Sequence, residues 1–553
     1  MKNGQEDEKY RNLLYKKWVK ESFDNNGIIN EISFDIPDNF NFAYDVVDEL
    51  AKKCPDKRAL VWIGANKERR DFTFGEISET SSQAANYLTK LGIKKGDKVM
   101  IVLKRHYQFW IIINALHKIG AVGIPATHLL TKKDFEYRFE TADIKAIIST
   151  TENDVTTAAD EAMQTCKGVK IKATVNGSVK GWHNFDTEFV SYPKTFARPK
   201  SLKKTDYMLM YFTSGTTGPP KIAVHNFEYP LGHIMTARYW QNVDPDGLHY
   251  VISDTGWAKS VWGKLYGQWL CETAVMSYDF EKFEPKDILP LFKEYQITSF
   301  CAPPTMYRFF IKEDLCKYDL SSLKHACIAG EALNPEVYEQ FLAATGVKLM
   351  EGYGQTEMTL LTGYFVGMEP KPGSMGVASP QYEMLLQGAD GKPAKIGEVG
   401  EVVLKPNGTP GLFAGYLKGK KVEFPAPDGY YHTGDTARQD EDGCYWFVGR
   451  TDDIIKTSGY RVGPFEVESV IMELPYVLEC AITGVPDPTR GHLIKATIVL
   501  TAAKTPSEEL KKEIQEYVKK HTAPYKYPRI VEFVTALPKT ISGKIRRVEI
   551  REN

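Results

Sequence analysis

The stretch that decides the fold is KVMIVLKRHYQFWIIINALHKIGAVGIP, residues 98–125. Lys98 to Leu103 reads as a short apolar strand. Phe109 to Ile119 carries its apolar residues at helical spacing, and Ala121 to Pro125 reads as a second strand. The same stretch also holds the longest apolar run in the chain. Asn114, His117, Lys118 and Pro125 interrupt that run, so it falls short of the roughly 18 apolar residues a membrane-spanning helix needs. It predicts a buried helix between two strands, and no transmembrane segment.

Working outward, Phe40 to Cys54 has helical spacing. Phe74 to Leu91 follows, with Gly92 as a C-cap, and Ile144 to Ser149 is a third strand. Strand and helix in alternation imply an α/β chain with a mostly parallel sheet covered by helices. From about Pro372 to Phe447 the composition turns to Gly, Pro and short alternating strands. Asp442-Gly443 marks a hairpin there, and a small β subdomain is expected over 372–447. Beyond Asp452 the pattern changes again. Phe465 to Leu474 and Glu508 to His521 are helical, and Cys480 to Val485, Ile494 to Thr501 and Ile530 to Val534 are strands. The expectation is a large N-terminal domain over 1–451 and a small α+β C-terminal domain over 452–553, with Asp452 as the hinge.

At 553 residues the chain is too long for one ordinary domain. With 42% hydrophobic and 25% charged residues it has the make-up of a soluble globular protein. A net charge of −1 gives no basic field for nucleic acid. The polar N-terminus lacks the apolar core of a signal peptide. The eight cysteines form no CxxC pair, which argues for a reducing compartment, taken here as the cytoplasm, and against structural zinc.

The strongest local signal is Tyr211-Phe212-Thr213-Ser214-Gly215-Thr216-Thr217-Gly218-Pro219-Pro220-Lys221, placed after a strand. Its glycines, hydroxyls and single lysine can wrap phosphates with backbone N–H groups, side-chain hydroxyls and one cation. The spacing G-x-x-G-x-x-K is not that of a Walker A loop.

This loop resembles the phosphate loop of the adenylate-forming superfamily, which comprises acyl-CoA synthetases, peptide-synthetase adenylation domains and firefly-type luciferases. Further motifs of that family follow in its order. They are Gly330-Glu331-Ala332-Leu333, Tyr353-Gly354-Gln355-Thr356-Glu357, Tyr431-His432-Thr433-Gly434-Asp435, Gly449-Arg450-Thr451-Asp452-Asp453 running to Gly459-Tyr460-Arg461, and Pro538-Lys539-Thr540-Ile541-Ser542-Gly543-Lys544. The resemblance spans nearly the whole chain. It is finest to the medium-chain acyl-CoA synthetases, through Ser253-Asp254-Thr255-Gly256-Trp257 and Ala523-Pro524-Tyr525-Lys526-Tyr527-Pro528-Arg529.

The resemblance implies an enzyme that uses ATP, Mg²⁺ and coenzyme A to turn a small-molecule acid into its CoA thioester through an acyl-adenylate. Thr213 to Gly218 and Lys221 would then hold phosphates. Thr356 would hold the α-phosphate and Glu357 the metal. Gly330, Glu331, Ala332 and Tyr353 would hold adenine, and Asp435 the ribose, with Gln355 and Arg450 close by; Arg461 would meet the ATP phosphates. Lys544 would enter from the C-terminal domain to bridge the acyl carboxylate and α-phosphate. Rotation about Asp452 would then replace it with a CoA tunnel at Ser458, Gly459, Tyr460 and Arg461, with Lys456 serving the thioester half-reaction. Arg490, Lys519 and Tyr527 would meet the CoA nucleotide. Trp257, Ala258, Val261, Ala329, Leu333 and Gly354 would line the acyl pocket. Acetyl-CoA synthetases carry Trp where this chain has Gly354, so a deeper slot for medium-chain, branched or aromatic acids is expected.

A stand-alone enzyme that loads an acyl carrier protein shares every motif through Lys544 and would differ in lacking a CoA nucleotide site. A luciferase-like oxygenase has nothing specific in its favour. A regulatory nucleotide binder would be expected to lose Lys544, Glu357 or Asp435. Oligomeric state, monomer or dimer, is not encoded in these motifs.

Overall fold

The computed structural model describes residues 8–213, 219–331, 333, 335–458, 460–502, 504–539 and 545–552. Two nine-stranded sheets carry most of the chain. The first runs through Lys221–Asn226, Tyr207–Thr213, Val122–Pro125, Lys98–Val102, Ala146–Thr150 and Ile171–Val175. The second runs through Leu349–Tyr353, His325–Ile328, Ser299–Ala302, Leu248–Val251, Ala274–Tyr278 and Arg58–Ile63. Central pairs in both are parallel, as in Lys98↔Val122 and Val275↔Leu60; antiparallel strands close three of the four edges, and the fourth is the short parallel strand His183–Asn184.

The helix foreseen in the opening stretch spans Gln108–Ile119, and all of its residues are buried. A helix apolar on every face must be covered on every face. Here its residues share one core with Val99 and Ile101 of the first sheet and Leu60, Val275 and Cys301 of the second. Trp110 Nε1 donates to the carbonyl of Lys264 at 2.7 Å, which satisfies the indole inside that core. Helix Phe74–Lys90 starts on a Thr73–Glu76 capping box and ends before Gly92, whose φ of +105° suits a residue without Cβ.

The β subdomain is a four-stranded antiparallel sheet of Glu383–Gln387, Val399–Lys405, Tyr431–Gln439 and Tyr445–Arg450. Its last turn contains Asp442-Gly443, with Gly443 at φ +81°. One part of the expected region lies elsewhere. Strands Gly415–Lys418 and Lys421–Glu423 leave it and extend the first sheet through Ala223↔Tyr416 and Val224↔Gly415. A Gly-rich composition marks turns but does not say which sheet receives the strand after them.

The C-terminal region forms its own sheet from Ile455–Thr457, Tyr460–Val462, Val477–Asp487, Gly491–Leu500 and Ile530–Phe533. Helices Pro464–Ile471 and Glu508–His521 cover it around a core of Val467, Ile471, Ile482, Ile498 and Ile514. Asp453 is buried and paired with Arg547 at 3.4 Å and with Arg551. Asp452 is exposed, and its carboxylate stands 3.5 Å from Arg450 Nε. Among the described residues no helix is long and apolar enough to cross a membrane.

Candidate active site

Strand Tyr431–Gln439 lies beside Tyr445–Arg450 with Asp435 opposite Arg450. That register sets Arg450 Nη1 3.3 Å from Asp435 Oδ1 and 3.1 Å from the carbonyl of Thr433. Gly434 sits between them at φ +72°, and a Cβ there would meet the Arg450 guanidinium at 2.7 Å. The glycine is needed for both reasons.

From the end of strand Leu349–Tyr353, Tyr353 donates its hydroxyl to Asp435 Oδ2 at 2.5 Å, and Gln355 Nε2 donates to the same oxygen at 2.6 Å. Burial and the Asp435 charge raise the Tyr353 pKa well above the ordinary value, so this phenol keeps its proton and donates. Asp435 is thus a buried carboxylate aimed by three donors from two sheets.

Thr356 and Glu357 follow directly. His225, on the antiparallel strand beside the phosphate loop, is 2.9 Å from the carbonyl of Thr356 through Nε2. Burial lowers its pKa to about 3, so it is a neutral ring, and only the Nε2–H tautomer can donate to that carbonyl. The backbone N–H of Phe413 donates to the carbonyl of Glu357 at 2.8 Å, and Tyr416 donates its hydroxyl to Glu357 Oε1 at 2.8 Å. Thr213 pairs with Lys221 at the facing ends of strands Tyr207–Thr213 and Lys221–Asn226, and Lys221 Nζ lies 5.1 Å from the Tyr416 ring centroid. Ser214, Gly215, Thr216, Thr217 and Gly218 lie outside the described residues.

Gly330 has φ +106°, as the tight turn after strand His325–Ile328 requires. Glu331 is directed at Thr305, whose hydroxyl donates to it at 3.0 Å, and at Arg308. Ala332 lies outside the described residues. Beneath this turn, Glu351 Oε1 accepts from Leu333 N at 3.3 Å, and burial pushes its carboxyl up to about 8.

Trp257 caps helix Ala258–Lys264, which faces this turn. Val261 and Leu333 are fully covered, and Ala329 nearly so. Lys259 donates to the carbonyl of Ala329 at 2.7 Å, and burial lowers its pKa. The expectation for Gly354 needs correcting. A Cβ built there would come within 2.4 Å of Trp262 Cη2 and 2.7 Å of the Thr359 carbonyl. The space left by the missing side chain is filled by an indole from helix Ala258–Lys264, so Gly354 does not by itself open a deeper slot.

In the C-terminal region the strand register sets Lys456 opposite Arg461. Lys456 is exposed. Ser458 has φ +49°, its N–H donates to the carbonyl of Arg490 at 2.8 Å, and Arg490 Nη1 reaches its hydroxyl at 3.3 Å. Tyr460 stacks on Tyr525 with ring centroids 4.0 Å apart. Lys519 Nζ lies 4.4 Å from the Tyr527 ring centroid, and the Arg529 guanidinium 4.8 Å from it. Tyr527 is therefore already engaged by two cations. Gly459 and Lys544 lie outside the described residues.

Sequence reading missed His225, Tyr416, Glu351, Lys259 and Trp262. Lys259 and Trp262 had a readable signal, since both lie beside Ala258 and Val261 on helix Ala258–Lys264. His225, Tyr416 and Glu351 act from strands that meet the site only in three dimensions.

The sequence matches the family model described as AMP-binding enzyme over residues 47–417 and that of the AMP-binding enzyme C-terminal domain over 466–544. It is 40% identical over 557 residues to the mouse acyl-coenzyme A synthetase ACSM3, covering 98% of this chain and 96% of the relative. The fold is similar to an anthranilate CoA ligase, AuaEII, solved with anthranoyl-AMP (TM-score 0.85, 27% identity, 94% of this chain and 98% of that one). It is also similar to a benzoate CoA ligase from Burkholderia xenovorans (TM-score 0.81, 25% identity, 93% of this chain and 100% of that one). The mouse relative and its rat and human counterparts are named as mitochondrial, which overturns the cytoplasmic placement expected above. Unpaired cysteines separate reducing from oxidising surroundings. They do not separate one reducing compartment from another.

Proposed function

Because this chain belongs to the AMP-binding enzyme family and is an AMP-forming acyl-CoA synthetase, we propose that Asp435, Thr356 and Glu357 form its ATP site, with medium-chain or aromatic acids as the substrates. The observation that carries the site reading is the carboxylate of Asp435, held by Tyr353, Gln355 and Arg450. A carboxylate fixed in this way has acceptor capacity left for a sugar hydroxyl, and would take both hydroxyls of a ribose by exchanging one of these donors.

In the first step an acid's carboxylate oxygen attacks the α-phosphorus of ATP, and pyrophosphate leaves. Two anions must approach, so the site has to neutralise charge and align the attack. Thr356, with its carbonyl fixed by His225, presents its hydroxyl to the α-phosphate. Lys221 supplies a cation at the phosphate loop. Lys544, in the motif Pro538 to Lys544, would supply a second one between the carboxylate and the α-phosphate. Glu357 offers one carboxylate, a donor set that suits Mg²⁺, which keeps waters and substrate phosphates as its other ligands. Bound there, the ion would neutralise phosphate charge.

In the second step the CoA thiol attacks the acyl carbonyl, AMP leaves, and the thiol proton passes to solvent or a nearby base. Rotation about Asp452 exchanges Lys544 for the hairpin Ile455–Val462. Asp452 suits a pivot because it is exposed between Arg450, on the β subdomain, and Asp453, which is tied to the C-terminal helix by Arg547 and Arg551. Ser458 pairs with Arg490 at that hairpin, Tyr460 on the same hairpin stacks on Tyr525, and these groups would receive CoA.

Trp257, Val261, Trp262, Ala329 and Leu333 would enclose the acyl chain. Each methylene buried there contributes about 0.8 kcal/mol. Relatives named for anthranilate and benzoate support aromatic acids as candidates. The test is kcat/KM with ATP and CoA for acetate and for a panel of butyrate, hexanoate, octanoate, benzoate and 2-methylbutyrate. A preference for acetate over the whole panel would sink the acid assignment.

A further inference from the structure

The loop Ser253–Trp257 follows a strand of the second sheet but is fastened to the first. Thr255 N donates to the carbonyl of Lys104 at 3.2 Å, and its hydroxyl donates to the carbonyl of Leu103. Gly256 is pressed so closely on Ala126 that a Cβ there would meet the Ala126 carbonyl carbon at 2.4 Å. Asp254 closes the turn by accepting from Gly256 N at 2.9 Å. Its other oxygen faces Arg105 Nη1 at 3.6 Å and His128 Nδ1 at 3.4 Å.

Arg105 is itself boxed in. Its Nε lies 3.7 Å from Asp279 Oδ1, its guanidinium sits 4.2 Å from the Phe280 ring centroid, and Nη2 donates to the carbonyl of Phe280. Asp279 is buried 2.9 Å from His106 Nδ1. His106, Glu152 and Asp279 together have the spacing of a metal site. Lys104 Nζ already lies 2.6 Å from Glu152 and 3.9 Å from Asp279, so the charge a metal would supply is present as a lysine. None of these groups has a part in the chemistry above. A buried charged network of this kind adds little net stability, and its attested use is to fix one arrangement among several.

We propose that Arg105 and Asp254 are positioning residues for Trp257, fixing through an inter-sheet ion pair the turn that sets the acyl-pocket wall. The path is short. The carbonyl of Asp254 accepts from Trp257 N at 3.2 Å, and Trp257 is the N-cap of the helix that carries Lys259, Val261 and Trp262. Displacing Asp254 therefore moves the start of that wall and leaves the Asp435 and Thr356 sites untouched. The inference rests on the reading of Trp257 as an acyl-site residue.

The experiment compares wild type, Asp254→Asn, Arg105→Gln, Arg105→Lys and Trp257→Ala. For each, kcat/KM is measured for butyrate, hexanoate, octanoate and benzoate, with the KM for ATP and the melting temperature alongside. Asp254→Asn keeps the acceptor for Gly256 N and removes only the charge. The expected result is a change of about tenfold in the octanoate-to-butyrate ratio for Asp254→Asn and Arg105→Gln, the scale on which small misplacements act. Arg105→Lys should recover part of it, and the KM for ATP should stay within about twofold of wild type. If Trp257→Ala reshapes the acid profile while Asp254→Asn and Arg105→Gln do not, the positioning role is wrong and the pocket reading stands. If Trp257→Ala leaves the profile unchanged, the pocket reading fails and takes this inference with it. A parallel loss with every acid, a raised KM for ATP and a lowered melting temperature would mark a purely structural network and overturn the proposal.

Discussion

The indole of Trp262 occupies the place that a side chain at Gly354 would take, with 2.4 Å between Trp262 Cη2 and a Cβ built on the glycine. One aromatic ring is present at this point of the pocket, and it arrives from helix Ala258–Lys264 instead of from the strand that carries Tyr353. The size of the acyl pocket proposed above would therefore depend on a helix residue.

Trp262→Ala should shift the enzyme toward longer or bulkier acids. The vacated volume lies beside Gly354, and each further methylene buried there is worth about 0.8 kcal/mol. The octanoate-to-butyrate ratio of kcat/KM should rise. If it is unchanged, the acyl chain runs along another wall. Gly354→Trp in the native background should instead cost stability by overpacking, because the Thr359 carbonyl stands 2.7 Å from the new Cβ.

Tyr353→Phe should weaken ATP without abolishing the reaction. It removes one of the donors on Asp435 and leaves Gln355 and Arg450 in place. A lost hydrogen bond to a charged group is worth about 1.5–3 kcal/mol, so the KM for ATP should rise by roughly one order of magnitude or more, with CoA and acid little affected. An unchanged KM for ATP would remove Asp435 from the nucleotide site.

His225 and Thr356 show how much of this site was legible beforehand. Thr356, Glu357, Asp435 and Arg450 sit in contiguous motifs, and the structure brings Gln355 and Arg450 within hydrogen-bonding range of Asp435. His225 sits in a strand whose sequence, Lys221 to Asn226, shows only a short apolar run followed by two polar residues. Its contact with the Thr356 carbonyl depends on how two sheets meet. The hairpin Gly415–Glu423 was misplaced for the same reason, since a strand's partners are fixed by tertiary packing. The strand–helix–strand order of residues 98–125 was legible because its period and length leave one reading.

Glu351→Gln should change how stability depends on pH. The wild-type carboxyl has a folded-state pKa raised by burial from 4.5 to about 8. Its contribution is therefore whole below the unfolded value and is lost as pH rises through about 8. The glutamine cannot ionise, so the variant's melting temperature should gain on wild type between pH 5 and about 8 and stay level above it. Parallel curves would show that Glu351 is not the group being desolvated.

Asp452→Pro should spare one half-reaction and impair the other. Proline fixes φ near −65° and removes a torsion that a rotation at this point must use. The two steps are read separately, as acid-dependent ATP–pyrophosphate exchange and as thioester formation from supplied acyl-adenylate. Both intact would move the pivot away from Asp452.

In a two-step, AMP-forming acyl-CoA synthesis of the kind proposed, Lys544 would serve only the first step. Lys544→Ala is compared with wild type in the same two half-reactions, using hexanoate. Exchange should be lost in the variant while thioester formation from hexanoyl-adenylate and CoA continues at near wild-type rate, because binding present only in one transition state acts on that step alone. Near-normal exchange in the variant would contradict it, as would wild-type enzyme that releases ADP and phosphate in place of AMP and pyrophosphate.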